Sequence, residues 1–92
     1  MSNKKPTHLY ILSCDNKFKI GITSDISKRI ASLQTGNSSK IVLEYIEERN
    51  NPQKAESYLH RCFQKNRLEG EWFENISVNT IRSRLMLFFD QD

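Results

Sequence analysis

The first part of the chain contains two apolar segments separated by a short polar turn. HLYILSC (8–14) is rich in residues that favour β-structure, and FKIGIT (18–23) alternates apolar and polar positions. DNK (15–17) between them is typical of a turn. Two such segments joined so closely predict a β-hairpin that reverses at residues 15–16.

Helical spacing follows the hairpin. TSD (23–25) supplies helix-capping residues, and Gly36 is a natural C-terminal stop. The apolar positions between them recur at the helical period: Ile26, Ile30 and Leu33. IVLEYIE (41–47) then predicts a third strand.

The second half of the chain predicts two further helices. One starts at Pro52, where the missing N–H costs nothing, and runs to about Lys65. Its expected buried stripe is Ala55, Leu59, Cys62 and Phe63. RLEGEWFE (67–74) is expected to form a loop or a short strand. The last helix, near 77–89, should bury Val78, Ile81, Leu85, Phe88 and Phe89.

These elements predict an α+β fold in the order β-β-α-β-α-α, with a three-stranded, mostly antiparallel sheet flanked by helices. The 92 residues predict one domain, 1–92, with a core at about 7–75 and a closing helix at about 77–89. Residues 1–6 and the last few are expected to be frayed ends.

Composition limits the possible classes of protein only moderately. The chain has 14 Lys and Arg against 11 Asp and Glu, and this mild positive charge permits a nucleic-acid partner without requiring one. No apolar run is long enough to cross a membrane or to act as a signal peptide, so we expect a soluble, cytoplasmic protein. Cys14 and Cys62 are expected to be reduced and buried, and the Cys and His residues are too few for a zinc site.

Polar residues within these elements are candidates for chemistry. The hairpin would bring Tyr10 close to Lys19, whose ammonium would lower the pKa of the phenol so that it could accept a proton from water. Arg29 lies beside the apolar stripe of its helix and could hold a phosphate. Ordinary structural roles are open for all three: Tyr10 packed in the sheet, Lys19 solvated, and Arg29 covering the edge of the core.

Two further groups lie in the second half of the chain. Glu56 and His60 are spaced i, i+4 on one side of a helix, where they could bind a hard divalent ion or form an ordinary helical pair. In GEWF (70–73), Trp72 is expected to hold the loop against the core and thereby to position Glu71.

The order of these features resembles the GIY-YIG nuclease superfamily. The resemblance covers residues 8–74 and rests on four features: Leu9-Tyr10-Ile11-Leu12, Lys19-Ile20-Gly21-Ile22-Thr23, Arg29 and Glu56. KIGIT, the Glu56–His60 spacing and GEWF are similar to a divergent branch found in phages, in bacteria and in a fungal meiotic protein. Lys19 stands where most members have Tyr. A family Asn has no clear counterpart, for which Glu71 and Asn75 are candidates.

The resemblance implies a metal-dependent endonuclease that hydrolyses phosphodiester bonds by in-line attack of water. Tyr10 would be the general base, activated by Lys19. Arg29 would neutralise the phosphoryl oxygens, and Glu56 would hold one Mg²⁺ or Mn²⁺ ion. His60 would orient Glu56 or pass a proton to the leaving group. The expected substrate is nucleic acid, with DNA as the first expectation. The basic residues expected to bind it are Lys19, Arg29, Lys40 and Arg61.

Two alternatives are open at this point. The chain could be a nucleic-acid-binding module of the same fold that no longer cuts, and a protein partner could recruit it to its target. It could instead be an interaction domain in which Trp72, Phe73 and the Phe88–Phe89 end form a docking surface. Salt-insensitive binding would favour the docking surface, because phosphate contacts weaken with salt.

Overall fold

The computed structural model describes residues 5–88, and a single antiparallel sheet organises them. The strands are β1 (His8–Cys14), β2 (Lys17–Thr23), β3 (Val42–Glu48) and β4 (Trp72–Phe73). The helices are α1 (Ile26–Thr35), α2 (Pro52–Cys62) and α3 (Val78–Met86), with a 3-10 turn at Gln64–Asn66. Within this part of the chain, no helix has the length and apolar content needed to cross a membrane.

The predicted hairpin of β1 and β2 is confirmed. Its strands pair antiparallel, with Tyr10 opposite Gly21 and Leu12 opposite Lys19. Asp15 and Asn16 form the turn and both have positive φ angles, 53° and 64°. A two-residue turn with two left-handed residues matches the twist of the strands, and Asp and Asn tolerate that conformation better than most residues. The sequence DN therefore fixes the register that places Tyr10 over Gly21.

Within residues 5–88 the sheet has four strands in the order β3-β1-β2-β4, so the prediction of three strands is wrong. The additional strand, β4, pairs Phe73 with Phe18 and Trp72 with Lys19, and it changes the element order to β-β-α-β-α-β-α. A two-residue strand is too short to show an alternating pattern, which is why periodicity could not find it. The predicted α+β class and antiparallel arrangement are confirmed.

Strand β3 lies at one edge of the sheet and contains a β-bulge. Ile11 of β1 faces Tyr45, but the next residue, Leu12, faces Leu43, so that Glu44 has no opposite partner. The Ser13 hydroxyl donates to the Glu44 carboxylate at 2.6 Å. The bulge interrupts the regular pairing of β3 with β1 and bends the strand locally.

Side chains cover both faces of β1, one of the two inner strands of the sheet. On the face packed by α2 and α3, the buried residues are Leu9, Ile11, Ile20, Ala55, Leu59, Phe63, Phe73, Ile81 and Leu85. On the other face, the buried residues are Tyr10, Leu12, Cys14 and Ile41, with apolar side chains of α1 and Trp72 packed against them. Burial on both faces explains why HLYILSC is nearly continuous in apolar residues rather than alternating.

The predicted first residues of the helices agree with the structure more closely than the predicted last residues. The Asp25 side chain accepts from the backbone N–H of Lys28 at 3.1 Å and begins α1, as the capping residues predicted. Helix α2 begins at Pro52 but ends at Cys62, which is exposed, so its predicted burial is wrong. Periodicity gives a direction around a helix but not how far the core extends along its axis.

The closing helix α3 is shorter than predicted. It spans Val78–Met86, buries Ile81 and Leu85, and leaves Val78 and Phe88 partly buried against the same core. Ser77 begins it by accepting from the backbone N–H of Thr80 at 3.1 Å. The predicted burial of Phe89 lies outside the described residues.

Replacing Gly21 with Ala tests the contact between β1 and β2. An added Cβ would lie 2.4 Å from the Tyr10 hydroxyl oxygen and 2.6 Å from Cζ, so the buried ring would have to move. We expect Gly21→Ala to lower the free energy of unfolding by about 1–3 kcal/mol, as overpacking of a core does. Urea denaturation measures the change. Gly36→Ala is the matched control because no atom lies within 4 Å of its added Cβ and Gly36 has a negative φ; it should not destabilise the chain.

Candidate active site

Tyr10 lies in the middle of the sheet, with its side chain packed over the backbone of Gly21. Burial raises the pKa of this phenol to about 12. The positive charge of Arg29 acts to lower the pKa, whereas the negative charges of Glu71 and Glu56 raise it further. Three charged side chains from separate parts of the chain therefore lie within electrostatic range of one phenol.

Lys19 does not activate Tyr10 in the way the sequence suggested. Its Nζ lies 3.2 Å from Oε1 of Glu71 and 5.6 Å from the centre of the Trp72 ring. The prediction that Lys19 lowers the Tyr10 pKa is wrong, since the pKa is raised and Lys19 is not among the charges that act on it. The hairpin does bring the two residues to neighbouring positions, but Lys19 directs its charge to Glu71 instead.

Glu56 and Glu71 form a carboxyl pair. Glu56 lies on α2, Glu71 lies immediately before β4, and a hydrogen bond joins their side chains. Burial raises the pKa of Glu56 to about 7, and the charge and hydrogen bond of Glu71 add to that effect. Lys19 and Arg67 oppose it with their positive charges. A hydrogen bond between two carboxyl groups needs a proton, and with a pKa of about 7 the Glu56 carboxyl carries that proton as the pH falls below neutral.

His60 attaches helix α2 to the sheet. Its Nε2–H donates to the backbone carbonyl of Ile20 at 2.8 Å, and its ring lies 5.1 Å from that of Phe73. The hydrogen bond of His60 thus goes to β2, whereas the sequence suggested a contact with Glu56. His60 fixes the helix one turn after Glu56 and so determines where that carboxylate meets the sheet.

The site forms where groups from both faces of the sheet meet at β2. Tyr10 and α1 belong to one face, and α2 packs on the other. Tyr10 lies across Gly21, a position without a side chain, while His60 holds α2 against the neighbouring Ile20 carbonyl. The charges of Glu56 and Glu71 consequently act on a phenol that belongs to the opposite layer.

The predicted phosphate-binding residues separate into two groups. Arg29 is exposed on α1, acts on Tyr10, and lines a cavity of about 240 Å³ together with Lys28 and Asp25. Lys40, which precedes β3, and Arg61 on α2 are also exposed, but neither is among the charges that shift the pKa of Tyr10 or Glu56. Only Arg29 and Lys19 of the predicted basic residues join the charged cluster.

Two residues of the cluster had little or no signal in the sequence. Glu71 was a candidate only as a substitute for a family Asn, yet it contacts Lys19 and Glu56. Arg67 was missed, and its Nε–H donates to the Gly70 carbonyl at 2.6 Å while its charge acts on Glu56. Both lie in an irregular segment, where no periodic pattern predicts the direction of a side chain.

The carboxyl pair is suited to a hard divalent cation. Among residues 5–88 no group of three or more His, Cys, Asp or Glu side chains has the arrangement of a metal site. Mg²⁺ needs only one or two carboxylates if phosphate oxygens and water complete its shell. A proton on Glu56 offsets the repulsion from Glu71, and a cation between the two carboxyl groups would do the same. The residues present therefore fit an ion bound together with substrate.

The structure does not support the proposed aromatic docking surface. Phe73 is completely buried in the core below α2, and Phe88 stacks at 4.9 Å on Tyr58. Trp72 is partly buried, and Phe89 lies outside the described residues. Two of the four aromatic side chains of that hypothesis thus contribute to the core.

An α+β domain with a tyrosine, an arginine and paired carboxylates around one strand resembles the nuclease-related class of small domains. Comparison with protein families matches residues 7–88 to the T5orf172 domain, and the chain belongs to this family. The family occurs in phage proteins and is related to GIY-YIG and HNH-like nucleases. Comparisons with curated proteins and with solved structures gave no match. The narrower branch defined by KIG and EWF stays a prediction.

The carboxyl pair predicts a pH dependence of stability. The folded-state pKa of Glu56 is raised from 4.5 to about 7, so folding favours its protonated form. Stability from this group is fully present below the unfolded pKa and is lost as the pH rises to about 7. We expect the free energy of unfolding without divalent ions to fall by roughly 1–2 kcal/mol over that range, once solvent screening is allowed for.

Urea denaturation at several pH values measures this fall, and Glu56→Gln should remove most of it. Glu48→Gln is the control, because Glu48 is exposed on β3, the edge strand farthest from β4. An equal pH dependence in the parent chain and in Glu56→Gln would contradict the raised pKa of Glu56.

Proposed function

We propose that the chain is a metal-dependent endonuclease that hydrolyses phosphodiester bonds in nucleic acid. The observation that carries the proposal is that the charges of Arg29, Glu56 and Glu71, from three separate segments, all act on Tyr10, and that Glu71 also acts on Glu56. A packing role does not require such a cluster, since two carboxyl groups placed together destabilise the folded chain unless they hold a proton or a cation. Clusters of this kind are typical of functional sites.

Arg29 is the proposed phosphate ligand. It is exposed, so a phosphate can reach it from solvent, and its charge already acts on Tyr10. A guanidinium group donates paired hydrogen bonds to phosphate oxygens and stabilises the charge that grows on them in the transition state. Arg29 would thus hold the scissile phosphate close to the phenol.

Glu56 is the proposed metal ligand, with Glu71 beside it. A bound Mg²⁺ or Mn²⁺ ion would polarise the phosphate and stabilise the leaving oxygen. Lys19 holds Glu71 through its ion pair, and His60 holds the helix that carries Glu56. In this proposal both residues position the carboxyl pair rather than contact the substrate.

Tyr10 is proposed to orient the attacking water and, once its own proton has passed to solvent, to accept the proton of that water as a phenolate. At a pKa of about 12, on the order of one phenol in 10⁵ is ionised at pH 7, so the resting side chain is a hydrogen-bond donor. Glu56 and Glu71 are two of the causes that raise this pKa. Neutralising their charges would remove those two causes and so lower the pKa, while burial, the largest cause, would still raise it and Arg29 would still oppose burial.

Replacing Glu56 with Gln tests the metal-binding role. We expect Mg²⁺- or Mn²⁺-dependent cleavage of plasmid DNA to fall by about 10²–10³-fold, since loss of the ion removes several kcal/mol of transition-state stabilisation. The activity of the parent should rise as the pH passes through about 7, because protons and cations compete for Glu56. Initial rates of nicking in divalent ion and in chelator measure both effects.

Lys40→Ala and Arg61→Ala are the matched charge controls, as both residues are exposed and lie outside the cluster. They should change cleavage much less than Arg29→Ala. Cleavage by Glu56→Gln at the parental rate would show that this carboxyl group does not hold the ion.

Tyr10→Phe tests the role of the phenol. The substitution removes one oxygen from a buried side chain and keeps the ring that packs on Gly21, so the fold should be retained. We expect the cleavage rate to fall by roughly 10²–10⁴-fold, as for loss of a general base. Single-turnover rates with saturating metal measure the loss, and circular dichroism checks the fold. A rate equal to that of the parent would rule out this role of Tyr10.

One observation favours a second function, nucleic-acid binding without cleavage. The pKa of Tyr10 is raised rather than lowered, and Glu71 is already paired with Lys19, so the resting site is not that of an activated base. A binding module of this kind would retain salt-sensitive binding through Arg29 but would show no metal-dependent turnover. The cleavage assays above distinguish the two functions.

A further inference from the structure

A cavity of about 300 Å³ lies beside the charged cluster, at the turn end of the β1–β2 hairpin. Residues of the hairpin, of the segment after α1 and of the loop before β4 line it: Cys14, Asp15, Lys17, Asn37, Glu69 and Trp72. Its volume is at the lower end of the range for small-molecule sites. The roles proposed for Tyr10, Arg29 and Glu56 make no use of this cavity.

Trp72 connects the cavity to the site. It lines the cavity, and the ammonium of Lys19, which pairs with Glu71, lies 5.6 Å from the centre of its ring. The indole is only partly buried although it is the largest side chain in the sheet. An aromatic ring at the wall of a cavity is the feature on which proteins stack nucleobases.

The polar groups of the cavity suit a base rather than a phosphate. Asp15 and Glu69 outnumber Lys17, the one cation of the lining, so the cavity is net negative and disfavours a phosphate, whereas the two carboxylates accept hydrogen bonds from amino groups on a base edge. The Asn37 side-chain carbonyl accepts from the Cys14 thiol at 3.6 Å, which leaves its amide nitrogen with two hydrogens to donate. Cytosine presents an amino donor together with acceptors, whereas thymine lacks the amino group.

We propose that this cavity binds a nucleobase of the substrate strand, next to the scissile phosphate, and favours bases that carry an amino group. The inference rests on the proposed function, since it places the base beside a phosphate held by Arg29. In this arrangement Trp72 supplies the stacking surface, Asp15 and Glu69 accept from the amino group, and Asn37 donates to a ring nitrogen or carbonyl. The cavity would thereby give the domain a preference among sequences.

Trp72 is the only tryptophan in the chain, so its fluorescence reports on this cavity alone. The test titrates the full chain, in chelator, with oligo(dC), oligo(dT) and an abasic oligomer of the same length. We expect oligo(dC) to quench the fluorescence and to bind roughly tenfold more tightly than oligo(dT). The abasic oligomer should not quench. Equal quenching by the abasic oligomer, or equal affinity for oligo(dC) and oligo(dT), would overturn the proposal.

The double variant Asp15→Asn, Glu69→Gln tests the base-reading groups. Asn tolerates the left-handed backbone at position 15, so the turn should form as before. Removing two negative charges strengthens the binding of any strand. Each new amide group can donate to the thymine carbonyls as well as accept from the cytosine amino group, so the ratio between oligo(dC) and oligo(dT) should fall towards one. An unchanged ratio would contradict the assignment. Asn79→Ala, at an exposed position on α3, is the control and should leave the ratio unaltered.

Two further comparisons separate the possible outcomes. Cytidine monophosphate should bind at least tenfold more weakly than oligo(dC), and equal affinity would mean that the cavity takes a free nucleotide instead of a strand. Because all titrations are made in chelator, they do not depend on cleavage. Base-selective quenching by a chain that does not cut would refute only the nuclease proposal, whereas cutting without base-selective quenching would refute only the cavity proposal.

Discussion

The contact between the Tyr10 ring and the backbone of Gly21 is the packing constraint on which the site depends. The two residues are directly opposite each other in the hairpin, and any side chain at position 21 would occupy the space of the phenol. With that space open, the ring lies across β2 and brings its hydroxyl group under the influence of Glu56 and Glu71. The two-residue turn at Asp15 and Asn16 sets the register that makes this contact possible.

Around this contact, the fold holds two carboxyl groups close together although they repel each other. Burial and the neighbouring Glu71 raise the pKa of Glu56, and the positive charges of Lys19 and Arg67 only partly oppose them. Backbone contacts hold the two carboxyl groups in place: His60 donates to the Ile20 carbonyl, and β4 pairs Trp72 with Lys19. The repulsion between the two carboxyl groups is thus tolerated because the core on both sides of the sheet holds the surrounding elements in place. Functional sites commonly contain such locally unfavourable arrangements.

Much of the fold follows from the sequence because apolar periodicity reports which face of an element is buried. The hairpin, the capping of α1 by Asp25 and the start of α2 at Pro52 were all predicted from a few residues. Strand β4 was not, because two residues carry no period. The exposure of Cys62 was not predicted either, because a helical wheel does not show where along the axis the core ends.

The sequence predicted which residues form the site better than it predicted how their charges act on one another. Tyr10, Lys19, Arg29, Glu56 and His60 were expected to come together. In the structure the charges of Arg29 and Glu56 act on Tyr10 and that of Lys19 acts on Glu56, whereas His60 bonds to β2. The predicted direction of the Tyr10 pKa shift was wrong. The shift depends on burial and on Glu71, and the spacing of Tyr10 and Lys19 shows neither of these. Arg67 has no signal in the sequence because the loop that carries it follows no regular repeat.

The bulge at Glu44 affects whether molecules of this small domain associate through their edge strands. Strand β3 forms an outer border of the sheet, and it exposes Val42 and Leu43. A straight border with apolar side chains would invite the strands of neighbouring molecules to add to it. The irregularity at Glu44, with its carboxylate held by Ser13, breaks that border and places a negative charge in it. Such a feature discourages intermolecular sheet growth and so helps keep individual molecules apart.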